Sequence, residues 1–146
     1  MKKNLISIDA PHADSRPDVG GKARNLAALS AAGFPVPEGW VVPSGAFEDH
    51  LERHGLASHA LDAAQACDEE RLREIRSLIA SRDIDDRLRD ALSELIDAPM
   101  AVRSSAAVEN QGSASYSGLF ETVLGVQGTT ALANAVKPLG SDLCTL

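Results

Sequence analysis

The chain has 146 residues, of which 44% are hydrophobic, enough for one ordinary domain with a core of its own. Aromatic residues make up only 3%, so Leu, Ile, Val and Ala must do most of the packing. A formal charge of −7 argues against general nucleic-acid binding, which calls for a basic face, and leaves room for a local basic pocket only.

Leu5–Ile8 reads as a short first strand and His12–Asp18 as a polar loop rich in turn formers. Gly20 and Gly21 precede Lys22, after which Ala23, Leu26, Ala27 and Leu29 mark the apolar stripe of a helix over 22–32. Gly33 closes that helix in the left-handed conformation, with Phe34 able to pack back on Leu29. Unpaired backbone N–H groups at such a helix start attract anions, and the adjacent lysine adds a full charge. The segment is not a Walker A loop, because Arg16 stands where that motif needs its first glycine and Ala23 where it needs Ser or Thr. Taken alone, Gly-Gly-Lys is more often just an exposed lysine at a helix start.

Pro35 and Pro37 force an extended chain into Trp40–Val42, a buried strand by composition that Pro43 stops. Ser44 can cap the next helix, in which Phe47 and Leu51 share a face before Gly55 ends it. Asp68 can cap a further helix with Leu72, Ile75, Leu78 and Ile79 as its core stripe, and Asp83 another with Ile84, Leu88, Ala91, Leu92 and Leu95. Arg71, Arg73, Arg76, Arg87 and Arg89 between these stripes read as a solvated face. His50 and His54 are four apart and could share a helix face without a third ligand, so exposed histidines are the reading, and His12 and His59 are equally unremarkable. Cys67 and Cys144 are isolated and suggest neither a zinc site nor a disulfide framework. Leu5–Ile8 is too short for a signal core and no segment approaches the roughly 20 apolar residues of a membrane span, so the cytoplasm is the expected location.

Pro99 keeps the apolar run Met100–Val102 extended, so Arg103 is expected to project from a strand end, where its planar fork can grip phosphate oxygens. Ser104, Ser105, Ser113, Ser115 and Ser117 add hydroxyls, and Gly112 and Gly118 let the backbone approach a ligand. By composition this is a solvated Ser/Gly linker carrying one arginine; the order of its residues suits a polyphosphate-binding loop. Phe120–Val126 reads as a strand and Thr129–Val136 as a last short helix, interrupted at Lys137-Pro138 because proline costs about 3 kcal/mol inside a helix.

AVRSSAAVENQGSASYSGLFETVLGV resembles the N-terminal nucleotide-binding domain shared by phosphoenolpyruvate synthase, pyruvate phosphate dikinase and rifampin phosphotransferase. A second block, Val19–Leu26 through Gly33–Val42, resembles the opening of the same domain, and the two occur in the right order. The resemblance runs from about residue 1 to 126, with a divergent tail over 137–146. It implies an α+β fold, the N-terminal portion of an ATP-grasp-like nucleotide-binding domain occupying 1–146. It implies ATP as ligand, with Lys22 matching the phosphate-contacting lysine, Arg103 the ATP-binding arginine, and Gly118 and Thr122 positions that line the nucleotide site. Ala107 stands where these proteins often have threonine and Asn110 where they often have aspartate.

The family implies that ATP donates a phosphoryl group to a carrier histidine in a separate domain, which passes it to an acceptor in another, with Mg²⁺ held by acidic residues outside this chain. No catalytic residue and no metal ligand is expected in the chain itself. Two other readings stay open from the sequence: a stand-alone, non-catalytic remnant that binds a nucleotide or a partner protein, and a structural domain whose Ser-rich segment is a connector.

Overall fold

The computed structural model describes residues 5–95, 98–104 and 122–139. In chain order these form β1 (Ile6–Ser7), α1 (Gly21–Ala31), β2 (Trp40–Val41), α2 (Ser44–Arg53), α3 (Ala57–Gln65), α4 (Glu69–Ser81), α5 (Asp86–Ser93), β3 (Met100–Arg103), β4 (Thr122–Val126) and α6 (Thr129–Leu139), with a 3₁₀ turn at Ala13–Ser15. Helices and small sheets are mixed, an α+β arrangement in which β1 pairs antiparallel with β2 and β3 antiparallel with β4.

The short ribbon of β1 and β2 divides two cores, because side chains alternate across a strand. Ile6, Ile8 and Val41 face one core with Val19, Ala23 and Ala27. Leu5 faces the other with Leu88, Leu92, Val126 and Leu132, and Val42 packs against it. A third cluster lies where α2, α3 and α4 meet, around Leu51, Ala63, Leu72, Ile75 and Ile79. The ribbon thus ties α1 to the body that carries β3 and β4.

Helix α1 packs through alanine. Ala23 and Ala27 are buried, whereas Leu26 and Leu29 are 39% and 44% exposed, so the expected stripe is narrower than its leucines suggested. Small side chains one turn apart let the helix backbone lie close to the 3₁₀ turn and to Ile6 and Ile8, and that close approach leaves the bulkier leucines outside. The closure at Gly33 follows expectation: φ is +84°, the Phe34 N–H donates to the Leu29 carbonyl at 3.1 Å and the Gly33 N–H to that of Ser30 at 2.9 Å. Gly55 ends α2 in the same manner, with φ +66° and the Leu56 N–H donating to the Leu51 carbonyl at 2.8 Å.

Capping residues differ in two places from the sequence reading. Ser44 is the first residue of α2 with Pro43 at the cap, and the Ser44 N–H donates to the Asp18 carbonyl at 3.2 Å, which ties the loop before α1 to α2. Helix α5 is capped by Asp85, whose carboxylate accepts from the Arg87 N–H at 2.8 Å; Asp83 lies further upstream and pairs with Lys137 at 3.5 Å. Asp68 does cap α4, accepting from the Arg71 N–H at 3.1 Å. In α4, Leu72, Ile75 and Ile79 are buried, but Leu78 is 41% exposed, being 100° around the helix from Ile79.

Helix α6 continues through Lys137 and Pro138 to Leu139 rather than stopping at Val136. Pro138 falls one residue before the end of the described helix, where its missing N–H removes a single bond. Lys137, expected at a break, lies instead within α6 and its ion pair with Asp83 anchors the helix end beside α5.

His50 is buried, contrary to the reading of His50 and His54 as exposed. Its ring meets that of His54 edge-on at 4.7 Å, and its Nε2 has no partner among the described residues. Burial lowers its pKa; His54 adds to the effect, a backbone hydrogen bond with Ile79 opposes it, and Lys137 and Arg53 lower it further. The neutral form therefore belongs to the fold. Stability is complete above the unfolded histidine value of about 6.5 and is lost as pH falls toward the lower folded value, since the unfolded chain takes up the proton first. Melting temperature should fall between pH 7.5 and 5, and His50→Gln should flatten that slope. Identical slopes in variant and parent would contradict the assignment.

Candidate functional site

The site forms where two distant parts of the chain meet. Gly20 holds the cap position of α1 in an extended conformation (φ −68°, ψ 165°) and, having no side chain, leaves the first-turn N–H groups without a capping hydrogen bond. Lys22, in that first turn, extends toward the end of β3, and its Nζ donates to the Ser104 carbonyl at 3.3 Å in a partly buried setting. Arg103 is the residue before Ser104 and the last residue of β3. The structure therefore brings together Lys22 and the Arg103–Ser104 strand end, which lie 82 positions apart for the bonded pair.

Thr122 joins them through the sheet. It is the register partner of Arg103, as Val123 is of Val102. The pairing then slips: Met100 is opposite Val126, so Leu124 and Gly125 of β4 face the single residue Ala101 of β3. Gly125 has φ +68°, the left-handed conformation that a bulge of this kind demands and glycine adopts without strain. The bulge turns Leu124 outward, 75% exposed, while Val126 returns to the core at 6%. Because Arg103 and Thr122 face each other, the chain that leaves β3 and the chain that enters β4 do so at one place. Gly118, Ala107, Asn110 and the serines from Ser105 to Ser117 lie outside the described residues.

Arg103 is exposed and has no ion-pair partner among the described residues. Ser104 is the opposite, 5% exposed with its Oγ unpartnered. Asp18 is held by Arg16 through two bonds of 2.9 and 2.6 Å, which keep its carboxyl below the usual range. A cation and a helix start are groups of the kind that bind phosphate oxygens. A depression of about 410 Å³ elsewhere, lined by Asp18, Pro43, Ser44, Glu48 and Asp49, carries carboxylates and would repel such a ligand. Among the described residues no group of three or more His, Cys, Asp or Glu is placed to hold a metal ion.

Sequence reasoning named Ser104 only as one hydroxyl among several. Its burial and its bond to Lys22 are tertiary facts, and the only signal was its position immediately after Arg103.

Residues 16–145 match the family described as pyruvate phosphate dikinase, AMP/ATP-binding domain, and the chain belongs to that family. It is similar to phosphoenolpyruvate synthase of Aeropyrum pernix, at 34% identity over 99% of this chain and 20% of the relative. It is similar also to phosphoenolpyruvate synthase of Pseudomonas aeruginosa, at 30% identity over 98% of this chain and 20% of the relative. A third, phosphoenolpyruvate synthase of Escherichia coli, is 33% identical over 86% of this chain and 18% of the relative. The chain thus spans about a fifth of the length of the curated relatives it matches. No described helix is long and apolar enough to cross a membrane.

Proposed function

We propose that this chain binds the polyphosphate of ATP and forms the N-terminal portion, residues 1–146, of an ATP-grasp-like domain in a phosphotransferase of the phosphoenolpyruvate synthase and pyruvate phosphate dikinase kind. The observation that carries the proposal is the bond from Lys22 Nζ to the Ser104 carbonyl, which sets the start of α1 against the strand end bearing Arg103. Phosphates held there meet a lysine point charge on one side and a guanidinium fork on the other. Thr122 contributes the facing strand position, and Gly118 is proposed as a further contact. Mg²⁺ is expected with ATP in the complete enzyme, held by ligands outside this chain.

In this reading ATP donates a phosphoryl group to a carrier histidine of a separate domain, and the acceptor that follows is chosen elsewhere in the protein. Lys22 and Arg103 neutralise oxygen charge and hold the reacting phosphorus in line, which is most of what phosphoryl transfer asks of a protein. A cytoplasmic setting goes with this reading.

Titration of the full-length protein with ATP and with adenosine tests it. ATP is expected to bind at least about tenfold tighter, since one charge-assisted hydrogen bond supplies that much. Equal affinities would remove the polyphosphate site. Tight ATP binding without transfer to any histidine would support a nucleotide-binding remnant in place of the phosphotransferase.

A further inference from the structure

Gly20 and Gly21, at the cap and first position of α1, have no side chains to fix their own backbone, so the placement of that segment has to come from its flanks. On one flank α1 packs through Ala23 and Ala27. On the other the chain makes a tight turn over Arg16–Val19, with the Val19 N–H donating to the Arg16 carbonyl at 3.4 Å. Pro17 stands at the second position of that turn, where its fixed φ suits the bend, and Arg16 before it is extended at φ −72° and ψ 131°. The Arg16 guanidinium closes over the turn, its Nε donating to Asp18 Oδ1 at 2.9 Å and its Nη2 to Oδ2 at 2.6 Å.

The same turn is anchored at two further points. The Asp18 carbonyl accepts the Ser44 N–H at 3.2 Å, and Val19 is 1% exposed in the core with Ile6, Ile8 and Val41. Just beyond the glycines, Lys22 reaches the Ser104 carbonyl at 3.3 Å. The Arg16 and Asp18 side chains are 46% and 32% exposed, and an ion pair so exposed adds little to global stability. It joins two residues of one turn, so what it restricts is the backbone that leads into the glycines.

We propose that Arg16 and Asp18 are positioning residues of the phosphate site: their clamp holds the turn from which Gly20, Gly21 and Lys22 are presented, so that a polyphosphate meets a helix start already in place. The inference rests on the ATP reading above. Neither side chain has to touch the nucleotide, because a segment ordered before its ligand arrives loses less freedom on binding.

The sign of one substitution in the full-length protein separates positioning from charge. Removing the Asp18 carboxylate takes away a negative charge close in sequence to Lys22, and by electrostatics alone that should tighten binding of an anion. If the carboxylate holds the turn, Asp18→Ala should instead weaken ATP binding about threefold, the effect that an exposed ion pair can supply. Arg16→Ala should weaken it to the same extent and the double alanine variant no further, since either change opens the same clamp. The exchanged pair, Arg16→Asp with Asp18→Arg, keeps the net charge and should recover most of the ATP affinity. Adenosine affinity and melting temperature should stay close to the parental values throughout, as for surface substitutions generally. Tighter or unchanged ATP binding in Asp18→Ala, with Lys22→Ala weakened, would overturn the proposal. An exchanged pair that binds no better than Arg16→Ala would also overturn it, by making Arg16 a charge of the site and not half of a clamp. Equal losses for ATP and adenosine would assign the pair a purely structural role. If Lys22→Ala and Arg103→Ala leave ATP binding intact, the nucleotide site itself fails, a result distinguishable from failure at the clamp.

Discussion

Replacing Lys22 or Arg103 with alanine is expected to weaken ATP binding by about 1.5–3 kcal/mol in each case, roughly 10- to 150-fold. The two side chains come from opposite ends of the chain and contribute differently. Lys22 is a single ammonium already oriented by the Ser104 carbonyl at 3.3 Å, so little of its freedom is left to lose when a phosphate arrives. Arg103 is exposed at the end of β3 and has no described carboxylate to neutralise it, so its fork is available to a ligand. Arg103→Lys should recover only part of the loss, because the charge survives while the bidentate geometry does not. Arg103→Ala should leave unfolding within about 0.5 kcal/mol of the parent, as for surface substitutions generally. Calorimetric titration of the full-length variants with ATP is the check. Unchanged affinity in both alanine variants would remove these residues from the site.

The second large effect lies in the core. Ile79 is fully buried at 0% exposure, in the cluster it forms with Leu51, Ala63, Leu72 and Ile75. Ile79→Ala removes buried methyl and methylene groups and leaves a cavity, at a cost of about 2–5 kcal/mol, a large part of the roughly 5–15 kcal/mol by which domains are stable. The neighbouring Leu78, 41% exposed on the same helix, supplies the control: Leu78→Ala should cost well under half as much. Urea unfolding of the two variants distinguishes them. Equal destabilisation would mean that the two side chains are buried alike.

How much of this was legible in the sequence depends on the range of the interaction concerned. Gly33, Gly55 and Asp68 were readable because each acts on neighbours a few residues away: a glycine freed from steric limits, a carboxylate reaching the N–H three residues on. Leu26, Leu29 and Leu78 were misjudged because periodicity reports which residues share a helix face, and only the tertiary neighbours decide how wide the buried part of that face is. Asp85 displaced Asp83 as a cap, and His50 went inside, for the same reason: Lys137 of α6 pairs with Asp83, and α4 closes over His50 through the Ile79 backbone.

The candidate site divides along the same line. Lys22 and Arg103 were picked out by resemblance of the flanking motifs, and no local rule predicts that residues so far apart in sequence should meet. The ribbon of β1 and β2, with one core on each face, is what brings α1 and β3 together. The bulge at Gly125 could not be read either, since an extra residue in a strand is visible only against its partner's register.

Convergence of Lys22 and Arg103 on one polyphosphate is the central claim, and a double-mutant cycle on ATP affinity tests it most directly. The parent, Lys22→Ala, Arg103→Ala and the double variant would be titrated with ATP in the full-length protein, with adenosine as the phosphate-free control. The account predicts losses confined to ATP and a coupling between the two positions of at least about 0.5 kcal/mol, as for groups in one contact network. Strictly additive losses, or equal losses with adenosine, would contradict it.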